Sequence, residues 1–185
     1  MPTPPRMRVV TLSSSSISHA LAAAGHTIIG HNFADLAHAD LVVLSPTDTL
    51  AEILPKLGAQ TVVLLQGYDV QLPAACTQHV IVTSPLPAGE TLVASNTEIG
   101  AVIAELLFQE CRLGFVACSQ SEFPRRAALG MWQIVCDAFA QCQPVDDAEI
   151  LAIISSVQAQ QAVAQFVPLP YSDLYRDMVS ALLKG

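Results

Sequence analysis

Three groups of side chains in this sequence have the types and spacing to do chemistry, and each falls where an apolar run gives way to polar residues. Ser13, Ser14, Ser15 and Ser16 stand between the apolar run MRVVTL and the Ala/Leu-rich stretch ISHALAAA. Hydroxyls in that position, together with the amides of a starting helix, make a cradle for a phosphate group. Ser45 and Thr47 belong to SPTDT, which follows the run DLVVL and would open on the same crevice. His31 and Asn32 end the short run TIIG, where a dinucleotide-binding sheet holds the group that reads the adenosine ribose. That group is ordinarily a carboxylate, or an arginine for a 2′-phosphate, and neither stands here. A plainer reading assigns the serines to a helix cap with a polar loop, and His31 and Asn32 to a loop.

The other reactive groups form no constellation. His19 lacks a serine or cysteine nucleophile with a third, orienting group, so a triad is not expected. Five cysteines, Cys76, Cys111, Cys118, Cys136 and Cys142, are an odd number without a C-x-x-C pair, and read as small core hydrophobes in a reducing compartment. Cys76 and His79 have a ligand-like spacing but no second pair, and no metal site is expected. Trp132 sits amid Leu129, Met131, Ile134 and Val135 and reads as core packing. Arg125 and Arg126 follow Pro124 at a helix start, where they would bind an anion or pair with carboxylates.

These groups must be positioned by an alternation of strands and helices. A strand over residues 7–12, a helix over 17–24 stopped by Gly25, and a strand over 27–30 form a βαβ unit whose serine turn lies at the strand's carboxyl end. Further apolar runs of strand length follow in 40–46, TVVLLQG (61–67) and HVIVTSP (79–85), as expected for strands buried on both faces. Helical spacing predicts a helix over 50–57, with Thr47 or Asp48 as its cap. PLPAGETLVASN (85–96) reads as a short hairpin or edge strand. A helix from Thr97 to about Glu110 is expected to turn Ile99, Val102, Ile103, Leu106 and Leu107 inward, and LGFVACS (113–119) to close the sheet. Beyond Glu122 the pattern is helical over 125–142, 146–166 and 171–183; the β-branched run ILAIISSV makes a strand at 150–157 the alternative. The expected fold class is α/β, a Rossmann-like, mainly parallel sheet with helices on both faces, followed by a small helical carboxyl-terminal part. Residues 1–120 would form the α/β domain and 121–185 a helical dimerisation or partner-binding region.

Composition narrows the function. The 185 residues carry 8 basic against 16 acidic side chains, a net charge of -8, which argues against nucleic-acid and anionic-membrane partners. With 52% hydrophobic and 13% charged residues, the surface is sparsely charged, and a homo-oligomer or a protein partner is expected. The opening MPTPPRMR has no signal-peptide core and no run reaches ~18 uncharged apolar residues, so a cytoplasmic location is expected.

The order of features resembles the ketopantoate-reductase branch of the 6-phosphogluconate-dehydrogenase-like proteins, which join a Rossmann domain for NADPH to a helical domain. AAAGHTIIGHN is similar to the end of the family's first helix and its second strand; ADLVVLSPTDTLAEILPKL to its third strand and next helix; TVVLLQG to its strand ending in LQNG. IGAVIAELL, RLGFVACSQ and GMWQIV are similar to the helix, strand and Trp-containing helix that lead into the catalytic domain, and SDLYRDM to a later helix. The resemblance implies NADP as cofactor, with Gln66 and Gly67 beside it. The departures fall on function. LSSSSISH has no glycine, where a dinucleotide fold uses G-x-G-x-x-G to bring backbone against the pyrophosphate. The family's catalytic lysine falls at Ile134, its substrate-binding asparagine at Ala138 and its motif serine at Asp173, so the catalytic residues here are unknown. The expectation is a degenerate NADP-dependent 2-oxo acid reductase-like protein whose activity is left open, an NADP-dependent oxidoreductase if active. Two alternatives stand beside it: a non-catalytic regulatory or assembly module with a pseudo-receiver-like fold, with Ser45, Ser13 and Ser84 near a receiver's functional positions, and a flavodoxin-like flavin- or phosphate-binding protein, with Tyr68 the one stacking candidate.

Overall fold

The computed structural model describes residues 6–12, 15–45, 48, 50–67, 76–141, 145 and 147–183. Seven strands follow the order β2-β1-β3-β4-β5-β6-β7 in one sheet: β1 (Arg8–Thr11), β2 (Thr27–Gly30), β3 (Leu41–Leu44), β4 (Val62–Gln66), β5 (His79–Pro85), β6 (Thr91–Ser95) and β7 (Phe115–Ala117). Seven α-helices accompany them among the described residues: α1 (Ser16–Ala23), α2 (Leu50–Ile53), α3 (Glu98–Glu110), α4 (Phe123–Ala140), α5 (Ala148–Ser155), α6 (Val157–Phe166) and α7 (Tyr171–Leu182). This is the expected mainly parallel α/β sheet with a helical carboxyl-terminal part. The described residues group into two compact units, one drawn from Met1–Gln66, Gln71–Val82 and Ser95–Leu113, the other from Gly67–Val70, Thr83–Ala94 and Gly114–Gly185.

In the first unit β1 pairs in parallel with β2 on one side and β3 on the other, and β3 pairs in parallel with β4. Every residue of β3 and β4 is buried, which is why these runs carry no polar alternation. β2 is the least buried of the four and lies at the sheet's edge. Helix α1 ends in a Schellman turn: Gly25 takes φ +96°, its N–H donates to Ala22 O at 3.0 Å, and the His26 N–H donates to Leu21 O at 3.1 Å. The helix expected over 50–57 tightens after Ile53 into a 3-10 turn, Leu54–Lys56, because Pro55 has no N–H for the α-helical ladder.

Helix α3 corrects the expected inner stripe. Its buried residues are Gly100, Ala104, Leu107 and Phe108, whereas Ile99, Val102 and Leu106 are 61%, 58% and 60% exposed. The helix is apolar on more than one face, so periodicity alone could not say which face packs inward. Gly100 belongs to the packed face for a steric reason: a Cβ there would run into the Ser95 hydroxyl.

The second unit holds the end of β5, most of β6, β7 and α4 to α7. Residues 85–96 contain β6, which is flanked by β7 in parallel and is not the edge strand expected; β7 takes that place. The helix expected over 146–166 is two helices. Ser156 is extended (ψ 154°) and its hydroxyl accepts from Ala159 N–H at 3.1 Å, so the serine starts α6 where a continuous helix would have left its side chain competing with the backbone. Residues 148–155 are helical, which rules out the strand alternative. Trp132 of α4 packs edge-on against Tyr171 and tilted against Tyr175, with centroids 6.1 and 6.2 Å apart. Tyr175 is fully buried and its hydroxyl donates to Ile154 O at 2.7 Å.

Candidate nucleotide crevice

Because β2 lies on one side of β1 and β3 on the other, the connections leaving β1 and β3 diverge, and the region outside their carboxyl ends is where sheets of this order place a binding crevice. Three sets of predicted residues border it: Ser15 and Ser16 after β1, His31 and Asn32 after β2, and Ser45 after β3. Ser13, Ser14 and Thr47 lie outside the described residues, as does Tyr68.

Ser15 is the N-cap of α1 and is 4% exposed. Its Oγ accepts from Ser18 N–H at 3.2 Å, while its own N–H donates to Ser18 Oγ at 2.9 Å. The Ser18 hydroxyl donates in turn to Ser15 O at 2.8 Å. The two serines thus form a reciprocal capping box that satisfies amides at the helix start from within the chain. Ser16 is exposed in the first turn.

His31 is oriented by its backbone neighbour across the sheet: Nδ1 lies 3.1 Å from Thr11 O, and since a carbonyl only accepts, the hydrogen is on Nδ1. Asn32 caps the 3-10 turn Phe33–His38, accepting from Ala34 N–H at 2.9 Å. That turn carries Asp35 back over the end of β2, where a Cβ built on Gly30 would run into its carboxylate. Sequence reading missed Asp35, since it looked for a carboxylate adjoining the strand. The available signal was Gly30 itself, the one residue able to end β2 beneath a folded-back side chain.

After β3, Asp48 holds the turn: its Oδ2 accepts from Ser45 N–H at 2.7 Å and from Ser45 Oγ at 3.0 Å. Gln66 ends β4 at 6% exposure, and the Gly67 N–H donates to Thr83 O at 2.8 Å. Elsewhere, His79 Nδ1 lies 2.8 Å from Thr97 Oγ1, and Cys76 Sγ lies 3.8 Å from Gln78 O. Among the described residues no three His, Cys, Asp or Glu side chains gather as metal ligands. Burial, first of all, raises the thiols of Cys111, Cys118 and Cys136 above the ordinary cysteine range, which keeps them protonated and poor nucleophiles. No helix among the described residues is long and apolar enough to cross a membrane.

No family model matches the sequence, and no curated protein matches it. Solved structures match its fold. A ketopantoate reductase from Ralstonia eutropha JMP134 superposes with a TM-score of 0.54 at 16% identity, over 96% of this chain and 99% of that one. An arogenate dehydrogenase from Synechocystis gives 0.53 at 12% identity, over 96% of this chain and 86% of the other. A 3-hydroxybutyryl-CoA dehydrogenase from Escherichia coli K12 gives 0.51 at 12% identity, over 97% of this chain but 53% of the other. At such identities the likeness is one of fold, and the conclusion it carries is that this chain has the Rossmann-like α/β fold of reductases and dehydrogenases, ketopantoate reductase among them.

Proposed function

We propose that this chain is a degenerate member of the NADP-dependent 2-oxo acid reductase lineage, one that keeps the fold and the ribose-facing end of a dinucleotide crevice but does not turn over. The Ser15–Ser18 capping box is the observation that carries this reading. A pyrophosphate needs close backbone approach and unspent amides at the start of the first helix. Here the Ser18 amide is satisfied by Ser15, both hydroxyls are buried, and residues 12–18 include no glycine. The residues present therefore do not fit the pyrophosphate of a dinucleotide. At the other end of the crevice, Asp35 over Gly30 suits a ribose hydroxyl and opposes a 2′-phosphate by like charge. A proton donor to a developing alkoxide is also wanting, because Ile134 and Ala138 stand where the family's lysine and asparagine would fall.

A steady-state absorbance assay with NADPH or NADH and a panel of 2-oxo acids tests the proposal. The expected result is no acid-dependent oxidation of either cofactor above the uncatalysed rate. Oxidation that depends on the acid and disappears in Ser15→Glu would overturn it.

A further inference from the structure

Within the second unit, helices α4 and α7 share an apolar face that nothing in the unit covers. The inward side of α4 is made by Ala127, Met131 and Val135, all fully buried. A second row, Leu129, Trp132, Cys136 and Phe139, follows the helix at alternating steps of three and four, the period of a helix–helix seam. Leu129 and Phe139 are exposed along that row, and Trp132 and Cys136 are half-buried. Helix α7 repeats the pattern: Tyr175 and Val179 are buried, while Tyr171, Leu174 and Met178 form an outer row with the first two exposed and the third half-buried. The two rows meet where Trp132 packs edge-on against Tyr171, so they make one face. Aromatic side chains and methionine in place of charges are the make-up of an interface core.

We infer that two copies of this chain associate through this face in a two-fold dimer, α4 of each copy lying on α7 of the other as a four-helix layer. Charge selects the second copy as the occupant. Helix α4 carries Arg125, Arg126 and Asp137, and α7 carries Asp173, Asp177 and Arg176. Together they are neutral in a chain of net charge -8, so two copies approach here with little repulsion, and a basic partner drawn by the chain's charge has little hold. Taken singly, α4 has one positive charge in excess and α7 one negative, so the crossed arrangement is complementary on both sides. Asp173 is paired with Arg176 at 3.3 Å, whereas exposed Arg125 and Asp177 have no ion pair among the described residues; the dimer sets Arg125 near Asp177 of the partner subunit. At about 1.5 Å per residue and about 10 Å in width, helices of 18 and 12 residues present a footprint on the order of 450 Å². Against the roughly 800 Å² that each copy contributes to a standard interface, this is a small, dissociable one. Its residues are distinct from those of the crevice, and the dimer stands independently of the reading given for that crevice.

The test is sedimentation velocity of the full chain from about 1 to about 200 µM, a range that spans dissociable self-association. A concentration-dependent monomer–dimer equilibrium is expected. Leu129→Glu and Leu174→Glu, both at exposed positions, should each weaken it about tenfold or more while the far-ultraviolet circular dichroism stays that of the parent. Val102→Glu, on the exposed side of α3 in the first unit, should leave it unchanged. Arg125→Asp and Asp177→Arg should each weaken the dimer, and the double reversal should recover affinity toward the parent. A chain that stays monomeric throughout would overturn the inference, as would a dimer that Val102→Glu removes and Leu129→Glu keeps. A double reversal no tighter than either single variant would overturn the crossed pairing of α4 with α7.

Discussion

If the serines after β1 are a cap rather than a phosphate cradle, their removal must be read in stability. Ser15→Ala takes away the acceptor of the Ser18 amide and leaves a buried N–H unpaired; Ser18→Ala does the same to the Ser15 N–H. N-cap serine to alanine costs about 0.5–2 kcal/mol, and an unmet buried donor about 1–3 kcal/mol, so each variant should lose about 1–2 kcal/mol. The two changes remove the same reciprocal bonds, and the double variant should therefore fall short of the sum by about 0.5–1 kcal/mol. In a chain of this size each kcal/mol moves the thermal midpoint by about 2–4 °C. Urea unfolding followed by far-ultraviolet circular dichroism, with amide exchange at Ser18 as a local readout, gives both quantities. Alanine variants within about 0.3 kcal/mol of the parent, or strictly additive losses, would refute the capping box as a structural device.

Three further outcomes follow from other parts of the fold. Tyr175→Phe deletes the donor to Ile154 O, one of the last carbonyls of α5 without a partner inside the helix, and should cost about 1–2 kcal/mol in urea unfolding with no change in secondary structure. Arg112 follows α3 with φ +56°, and its N–H bonds Gln109 O at 3.1 Å as in a Schellman turn; Arg112→Gly should raise stability by about 0.5–1 kcal/mol, and a loss would contradict the assigned left-handed turn. Hydrogen bonds from the Arg8 side chain, then its backbone N–H, hold the Asp40 carboxyl below its ordinary value of 3.8. A lowered carboxylate stabilises the fold above its unfolded pKa, and that contribution is lost as pH falls through the still lower folded value. The pair is well exposed, so Asp40→Asn should cost under about 1 kcal/mol near neutrality and nothing in strong acid; a cost that grows on acidification would reverse the sign.

The sheet was legible because its strands are buried on both faces: LVVL and VVLL carry no polar alternation, and HVIVTSP matches β5 from end to end. The start of α3 was equally readable at Thr97, whose hydroxyl accepts from Gly100 N–H at 3.0 Å. What escaped reading depends on tertiary partners. Helix α3 has apolar residues on two faces, and its packing partners, with Ser95 close against Gly100, select the one turned inward. The break at Ser156 lies between two stretches of sound helical propensity, and one serine hydroxyl turning back to Ala159 suffices to divide them. Asp35 was not found as a carboxylate beside β2 because a 3-10 turn, and not sequence adjacency, returns it to the strand's end. A helix cap among the serines after β1 was legible from turn chemistry, whereas its reciprocal pairing with Ser18 depends on the folded turn.

Calorimetric titration of NADPH into the purified chain, with NADH as the comparison, asks whether the turn after β1 still takes a dinucleotide. If, as proposed, the helix start is closed by its own cap and Asp35 opposes a 2′-phosphate, no saturable heat is expected for NADPH below about 1 mM, and no advantage of NADPH over NADH. A one-site isotherm with a micromolar dissociation constant for NADPH, weakened by Ser15→Glu, would contradict it and restore a working dinucleotide site to the turn after β1.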